Sequence, residues 1–456
     1  MRLPSRPKRP LLSATLAATV LSTGALTAAC QDTGSSDGQS SMGSQERPDF
    51  SSSESSQSQA SGPGLKIGTL LPVTGDLSSI GQNMPQTVRM AVERANSCQG
   101  VNGQPIELVT EDTQTEPAAG SAAASKLAEA NSVDAIVGAF SSGVSSASVD
   151  VAVRNQVMMV SPGSTSPTFT QRAQDGDFNG FWARTAPPDT YQARALAKLA
   201  DKRGFERVST VVINNDYGIG FEREFTQAFQ RLGGTIANDS APVRYPLKAA
   251  TLDSEAQAAF GNGDPDAVMG AIYQETGSLL LKAAYQQGLM ANTPVLLTDA
   301  VKSQDFVEQV GQAPSGRSII AGALGTVPGA NGDALQALES RWQAETGSSL
   351  TAFIPHTWDA TALIALAAQA AGESSGPAIK SHIRDVATPP GKAVSDLCQG
   401  LKLARQGQAI NYQGASGNVD LNQNGNVVGV YDVWQVQADG SIETVDRVEP
   451  QLDSSN

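Results

Sequence analysis

Two short apolar runs that both stop at hydroxyls and glycine constrain this chain more than any other feature. They read AIVGAFSSG at 135–143 and VMMVSPGST at 157–165, with one helix-sized segment, 144–156, between them. A strand–helix–strand unit of this length sets its two strands parallel. Both hydroxyl clusters then leave the same carboxyl edge of one sheet, where open parallel sheets bind their ligands. Ser141, Ser142, Gly163, Ser164 and Thr165 supply hydroxyls and backbone N–H groups there, and no base, acid or metal ligand. Either cluster alone is explained by helix capping and by a turn before Pro167. On neighbouring strand ends, hydroxyls and helix N-terminal amides together make an anion site suited to a carboxylate.

The chain alternates in the same way from Leu65 onward. Strands are expected at 65–73, 106–109 and 181–185, and helices at 82–96 and 116–129. Val88, Ala91, Val92 and Ala95 form one stripe of the first helix. A second series has strands at 208–213, 267–273, 294–298 and 318–324, with helices at 221–232 and 276–287 that run into glycine. Helices follow at 333–346, 358–371, 378–386 and 394–406, and a hairpin at 427–437 and 441–445 closes the pattern. The length of 456 residues suits two large domains, and 40% hydrophobic content suffices for their cores. The expected fold class is α/β with two doubly wound domains. TAPP at 185–188 and PGAN at 328–331 punctuate the boundaries. The late helices have few strands of their own, so the simplest packing returns them to the first domain. Several strands would then cross between discontinuous lobes and act as a hinge.

The N-terminus reads as a leader. Residues 1–31 contain no acid, Arg2, Arg6, Lys8 and Arg9 form a basic start, and 11–29 is apolar but diluted by Ser, Thr and Gly. That pattern is a secretory signal peptide rather than a membrane helix. It ends LTAAC at 26–30, which resembles a bacterial lipobox with Thr27 in the place usually held by Leu. Cleavage after residue 29 would leave Cys30 to carry lipid. Residues 31–64 are rich in Ser, Gly and Gln and read as a tether. Loss of the four leader cations takes the formal charge from −14 to −18. So acidic a surface argues against nucleic acid and against direct binding to anionic lipid. With Cys30 lipidated, Cys98 and Cys398 remain. In an exported chain they suggest one disulfide, two free buried thiols being the alternative.

Other strand exits carry the remaining signals. NNDYGIG at 214–220 lacks the third glycine and the later acid of a dinucleotide fingerprint, and leaves Tyr217 able to face a cleft. YQETG at 273–277 follows another strand and offers Tyr273. Asp299 ends the strand 295–298, where a carboxylate could pair with a ligand ammonium. DLNQNG at 420–425 imitates the start of a calcium loop, but Tyr431 stands where a bidentate Glu is needed, so an Asn-Gly turn is the better reading. The two histidines, His356 and His382, lie near no nucleophile motif. No P-loop and no zinc spacing occurs. The chain reads as a binder with no catalytic residue, no metal and no cofactor.

Five segments taken in order resemble the branched-chain amino-acid-binding family, the type I periplasmic solute-binding proteins of ABC transporters. They are IGTLLPVTG at 67–75, IVGAFSS at 136–142, SPGSTSP at 161–167, DYGIG at 216–220, and YQGASG at 412–417 with the following DLNQNG. The resemblance covers about 65–445. It implies two Rossmann-like lobes joined by a three-stranded hinge, a Venus-flytrap, with lobe 1 at 65–186 plus 327–429, lobe 2 at 187–326 plus 430–447, and a tail at 448–456. It implies that Ser141, Ser142, Gly163, Ser164 and Thr165 hold an amino acid's carboxylate. Tyr217 and Tyr273 would line the cleft, Asp299 would take the ammonium, and the loop 74–81 would add a wall. Ile80 stands where relatives often carry an aromatic. The implied protein is a monomeric, lipid-anchored lipoprotein outside the cytoplasmic membrane, passing a small neutral amino acid to an ABC permease and its ATPase. A ligand-sensing lipoprotein and a binder of amide or urea-type solutes are the competing readings.

Overall fold

In the computed structural model, which describes residues 64–449, the alternation forms two separate sheets. The leader, Cys30 and most of the Ser-rich tether lie outside the described residues, as do residues 450–456.

The first sheet has five parallel strands in the order Glu107–Asp112, Lys66–Leu71, Ala135–Gly138, Met158–Ser161, Trp182–Arg184. Both opening strands are buried along their whole length. Helices cover both faces, which is why these runs are continuously apolar instead of alternating. The strand order reverses beside Lys66–Leu71, so the loops after that strand and after Ala135–Gly138 diverge and open a crevice at the carboxyl edge.

The second sheet runs Ile442–Val448, Tyr431–Val436, Leu324–Pro328, Val295–Leu297, Ala267–Ala271, Arg207–Ile213, Thr235–Ile236, and Val243–Tyr245 also pairs with Arg207–Ile213. The two strands at its C-terminal end are antiparallel and form the expected hairpin. The chain passes between the sheets three times, and the passages lie side by side. Arg184 N donates to Gly425 O at 2.9 Å, Gly329 N to Val430 O at 2.9 Å, and Tyr431 OH to Pro188 O at 3.1 Å.

The late helices pack on the first sheet. Ile354–Ala371 is almost wholly buried and lies against Met84–Ser97 and the strands Ala135–Gly138 and Met158–Ser161. Cys98, at the end of Met84–Ser97, is bonded to Cys398 in the helix Leu397–Arg405.

Several elements differ from their sequence reading. The strand expected at 318–324 is Leu324–Pro328. Gly322 turns the chain with φ +93° and donates to Val436 O at 2.8 Å, so the β-branched run before it never joins the sheet. Val394 ends a short strand, Lys392–Val394, and the helix after it starts at Leu397, capped by Asp396, which accepts from Gln399 N at 2.8 Å. The helix expected at 116–129 is α-helical over Pro117–Ser125 and ends in a wider π turn, Lys126–Ala130. The helix Asp189–Lys202 was not read from the sequence at all.

Candidate functional site

The two opening exits are bound tightly to each other. Ser161 Oγ accepts from Gly163 N at 3.2 Å and Ser164 N at 2.8 Å, and donates to Ala139 O at 2.6 Å. Ser164 Oγ lies 2.7 Å from Ser145 Oγ and within 3.1 Å of Ala139 O and Phe140 O. Ser142 Oγ accepts from Ser166 N at 3.2 Å. A side chain at Gly163 would put its Cβ 2.1 Å from the Phe140 ring, so only glycine lets the loop close down here. These hydroxyls therefore shape the edge. Thr165 Oγ1 is buried and has no hydrogen-bond partner among the described residues.

Ser141 does something else. It precedes the helix Ser142–Arg154, and its Oγ lies 3.0 Å from Tyr273 OH, on the exit of the second sheet. Asn215 Nδ2 donates to the same tyrosine oxygen at 3.1 Å. Ser166 Oγ donates to Asp216 O at 2.9 Å. The facing edges of the two sheets thus touch directly.

The second-sheet side is a buried polar cluster. The Tyr217 and Tyr273 rings stack with centroids 5.7 Å apart. Tyr217 OH lies 2.7 Å from Thr298 Oγ1 and 3.0 Å from Asp299 Oδ1. Gln192 Nε2 donates to Asp299 Oδ1 at 2.9 Å and to Thr326 O at 3.0 Å. Burial pushes the Asp299 carboxyl up to about 6, against the hydrogen bonds from Tyr217 and Gln192. Ile80 sits in the apolar core beside the helix Met84–Ser97.

Three residues that sequence reasoning passed over join these groups. Arg184 is fully buried and donates to Ser164 O at 2.8 Å, Ser166 O at 2.9 Å, Thr170 Oγ1 at 2.7 Å and Asn426 Oδ1 at 2.8 Å. It fixes the carbonyls on either side of Thr165 and ties them to the third passage between the sheets. Asp189 opens the helix Asp189–Lys202, and its N–H donates to Thr165 O at 2.8 Å. Both of its carboxylate oxygens are buried without a partner among the described residues. Asp76, from the loop after the first strand, accepts from Glu275 N and, at 2.9 Å, from Thr276 Oγ1. It thereby caps the second-sheet helix Gln274–Gln286 from the other side of the cleft. The signals were an arginine in an apolar strand, an acid following Pro-Pro, and an acid in the quoted TGD loop.

The histidines stand apart. His356 is buried in the long helix, and burial lowers its imidazole to about 3. His382 Nδ1 contacts Ser381 Oγ at 2.9 Å. Asn422, in the calcium-like stretch, uses its Oδ1 to accept from Asn424 N at 2.9 Å, a turn.

The family described as receptor family ligand binding region matches residues 83–439. The chain belongs to this family. BasB of Halobacterium salinarum, a chemotactic signal transduction system substrate-binding protein, is 28% identical over 390 residues, 84% of this chain and 89% of its own. Leu/Ile/Val-binding protein homolog 2 of Brucella abortus is 32% identical over 170 residues, 37% of this chain and 44% of its own. Among solved structures, the leucine-binding protein LivK of Thermotoga maritima superposes with a TM-score of 0.70 at 24% identity, covering 85% of this chain and 99% of that one. LivJ of Streptococcus pneumoniae, solved with isoleucine, gives 0.69 at 19% identity over 85% and 100%. A solute-binding protein of R. palustris solved with 4-hydroxybenzoate gives 0.68 at 19% over 86% and 99%. The fold is that of the type I periplasmic binding proteins, as the ordered segments suggested. Family and fold are those of solute-binding proteins, which are not enzymes and work outside the cytoplasm. No helix among the described residues is long and apolar enough to cross a membrane.

Proposed function

We propose that this protein is an extracytoplasmic solute-binding lipoprotein that closes on a small neutral α-amino acid and delivers it to an ABC permease and its ATPase. The observation that carries this reading is the juxtaposition, in one closed cleft, of a hydroxyl-and-amide edge on the first sheet and a buried carboxylate cluster on the second. The first suits a carboxylate and the second an ammonium. An aromatic acid such as 4-hydroxybenzoate offers the second only one hydroxyl donor and no positive charge. Lobes of 65–186 plus 327–429 and 187–326 plus 430–447 would rotate about the three passages, and the permease would read the closed state. Thr165 and the helix Ser142–Arg154 would hold the carboxylate, Tyr217 and Tyr273 would cover the ligand, and Asp299 with Asp189 would face its ammonium. Cys30 would anchor the molecule through the tether. Thermal-shift screening against the twenty amino acids and 4-hydroxybenzoate tests this. Stabilisation by one or more neutral amino acids supports it, and stabilisation by the benzoate alone refutes it.

A sensing role is the second reading, favoured by the match to BasB over most of both chains. Reconstitution with the permease separates the two: ligand-stimulated ATP hydrolysis marks transport, and its absence marks sensing.

A further inference from the structure

We infer that the paired carboxyls of Asp189 and Asp299 hold one proton until a ligand's primary ammonium enters, and that this ammonium expels the proton to solvent. The inference deepens the amino-acid reading above and rests on it. Both acids are buried, and Gln192, one turn along the helix that Asp189 opens, donates to Asp299 Oδ1 at 2.9 Å, which sets the two carboxyls on the same buried cluster. Their surroundings are unequal. Asp299 Oδ1 is satisfied by Gln192 and Tyr217. Both oxygens of Asp189 and Gln192 Oε1 are buried without partners among the described residues. Those three acceptors match the three N–H donors of a primary ammonium.

The charges point the same way. Arg184, on the strand Trp182–Arg184, is the cation whose field reaches Asp189, and its hydrogen bonds to Ser164, Ser166, Thr170 and Asn426 all go to neutral partners. From the helix Asp216–Arg231, Tyr217 faces the pair and Glu224 adds a further negative field. Glu224 is itself paired with Arg223 at 3.4 Å. Tyr431 faces the pair from the strand Tyr431–Val436, and Tyr273, ahead of its own helix, faces Asp299. Burial pushes Tyr217, Tyr273 and Tyr431 up, so they stay uncharged. Two carboxylates against one guanidinium leave one negative charge in excess, away from water. Like-charged buried acids resolve that excess by sharing a proton. Burial and the Asp299 charge accordingly push Asp189 well above the usual carboxylate range. Thr165 Oγ1 lowers it from nearby without reaching hydrogen-bond geometry. An ammonium brings the missing positive charge. The carboxyl O–H bond then breaks, its proton passes to the buffer, and the ligand keeps all three N–H bonds.

Calorimetry of the full chain with L-leucine and L-isoleucine, at one pH in buffers of different ionisation enthalpy, counts the protons released. The expected count approaches one per ligand, with affinity tightening up to tenfold per pH unit across the pair's titration. In Asp189→Asn the count should fall towards zero. A zero count in the wild type, or an unchanged count in Asp189→Asn that still binds, overturns the inference. Infrared spectroscopy of the ligand-free protein at pH 7 gives a readout that needs no amino acid. A protonated-carboxyl band that weakens in Asp189→Asn supports the shared proton, and an identical spectrum refutes it. If no amino acid binds while that band is present, the amino-acid reading fails and the shared proton stands.

Discussion

Ser141 Oγ on the first sheet's edge and Tyr273 OH on the second's lie 3.0 Å apart, from positions 132 residues apart in sequence. The contact closes the cleft with two small neutral groups, and Asn215 steadies the tyrosine from its own side. Neutral hydrogen bonds of this kind contribute little each. A closed state held this way can be reopened.

Tyr273→Phe should therefore loosen closure without unfolding the protein. Losing contacts worth about 1 kcal/mol each shifts the open-to-closed ratio roughly five-fold or more. Small-angle scattering should show a larger radius of gyration for the variant, with an unchanged melting temperature. An unchanged radius would mean that Tyr273 does not hold the lobes.

Asp76 should behave differently when made Ala or Asn. Asp76→Ala removes the cross-cleft cap of the helix Gln274–Gln286, worth about 1 kcal/mol for an exposed cap, and should weaken ligand binding. Burial in this contact raises the carboxyl to about 6. Its pKa is raised, so the contact takes up a proton as pH falls from 6 towards 4 and becomes easier to make; ionisation above 6 opposes it. Asp76→Asn, which cannot ionise, should close at pH 7.5 at least as readily as wild type. Titrating affinity against pH for the three proteins checks this.

The disulfide joins residues separated by 300 positions yet belongs to the packing of the first sheet, away from the cleft. On the chain-entropy view, closing so long a loop contributes about 6 kcal/mol. The double variant Cys98→Ala/Cys398→Ala should melt markedly lower and bind ligand with unchanged affinity. A loss of affinity at a temperature where the variant is still folded would tie the bridge to the site.

His356 supplies a pH test of stability. Its folded pKa is lowered to about 3 from 6.5 by burial alone. The unfolded chain therefore binds a proton between those values and the folded chain does not. Stability from this residue is full above 6.5 and is lost as pH falls, by about 1.4 kcal/mol per unit. Denaturant unfolding of wild type and His356→Gln from pH 7.5 to 4.5 should show the gap between them shrinking at that slope. A constant gap would show that the buried imidazole is accommodated charged.

Much of the fold was legible because parallel sheets buried on both faces demand unbroken apolar strands, and 135–138 and 158–161 have them. The strand at 324–328 was misplaced because Ile319 and Ile320 look like strand residues, while Gly322, which turns the chain, gives no local sign of its partner at Val436. The opening serines were visible, but their division of labour was not. Ser142 and Ser164 spend their hydroxyls on the edge itself, a consequence of how two strand exits pack. Asp189 and Arg184 were missed for a related reason. The strand Trp182–Arg184 was expected at 181–185, but nothing local marks its arginine as buried, and the helix opened by Asp189 went unread; only the tertiary structure brings both residues under Thr165.

The most direct measurement is calorimetry of L-leucine against its hydroxy analogue, which keeps the carboxylate and side chain and lacks only the ammonium. A cleft that grips both ends of an amino acid should bind leucine at least a hundredfold more tightly, since the analogue leaves buried carboxylates unpaired, at about 3 kcal/mol or more. Equal affinity for the two, or binding of 4-hydroxybenzoate in preference to both, would contradict it.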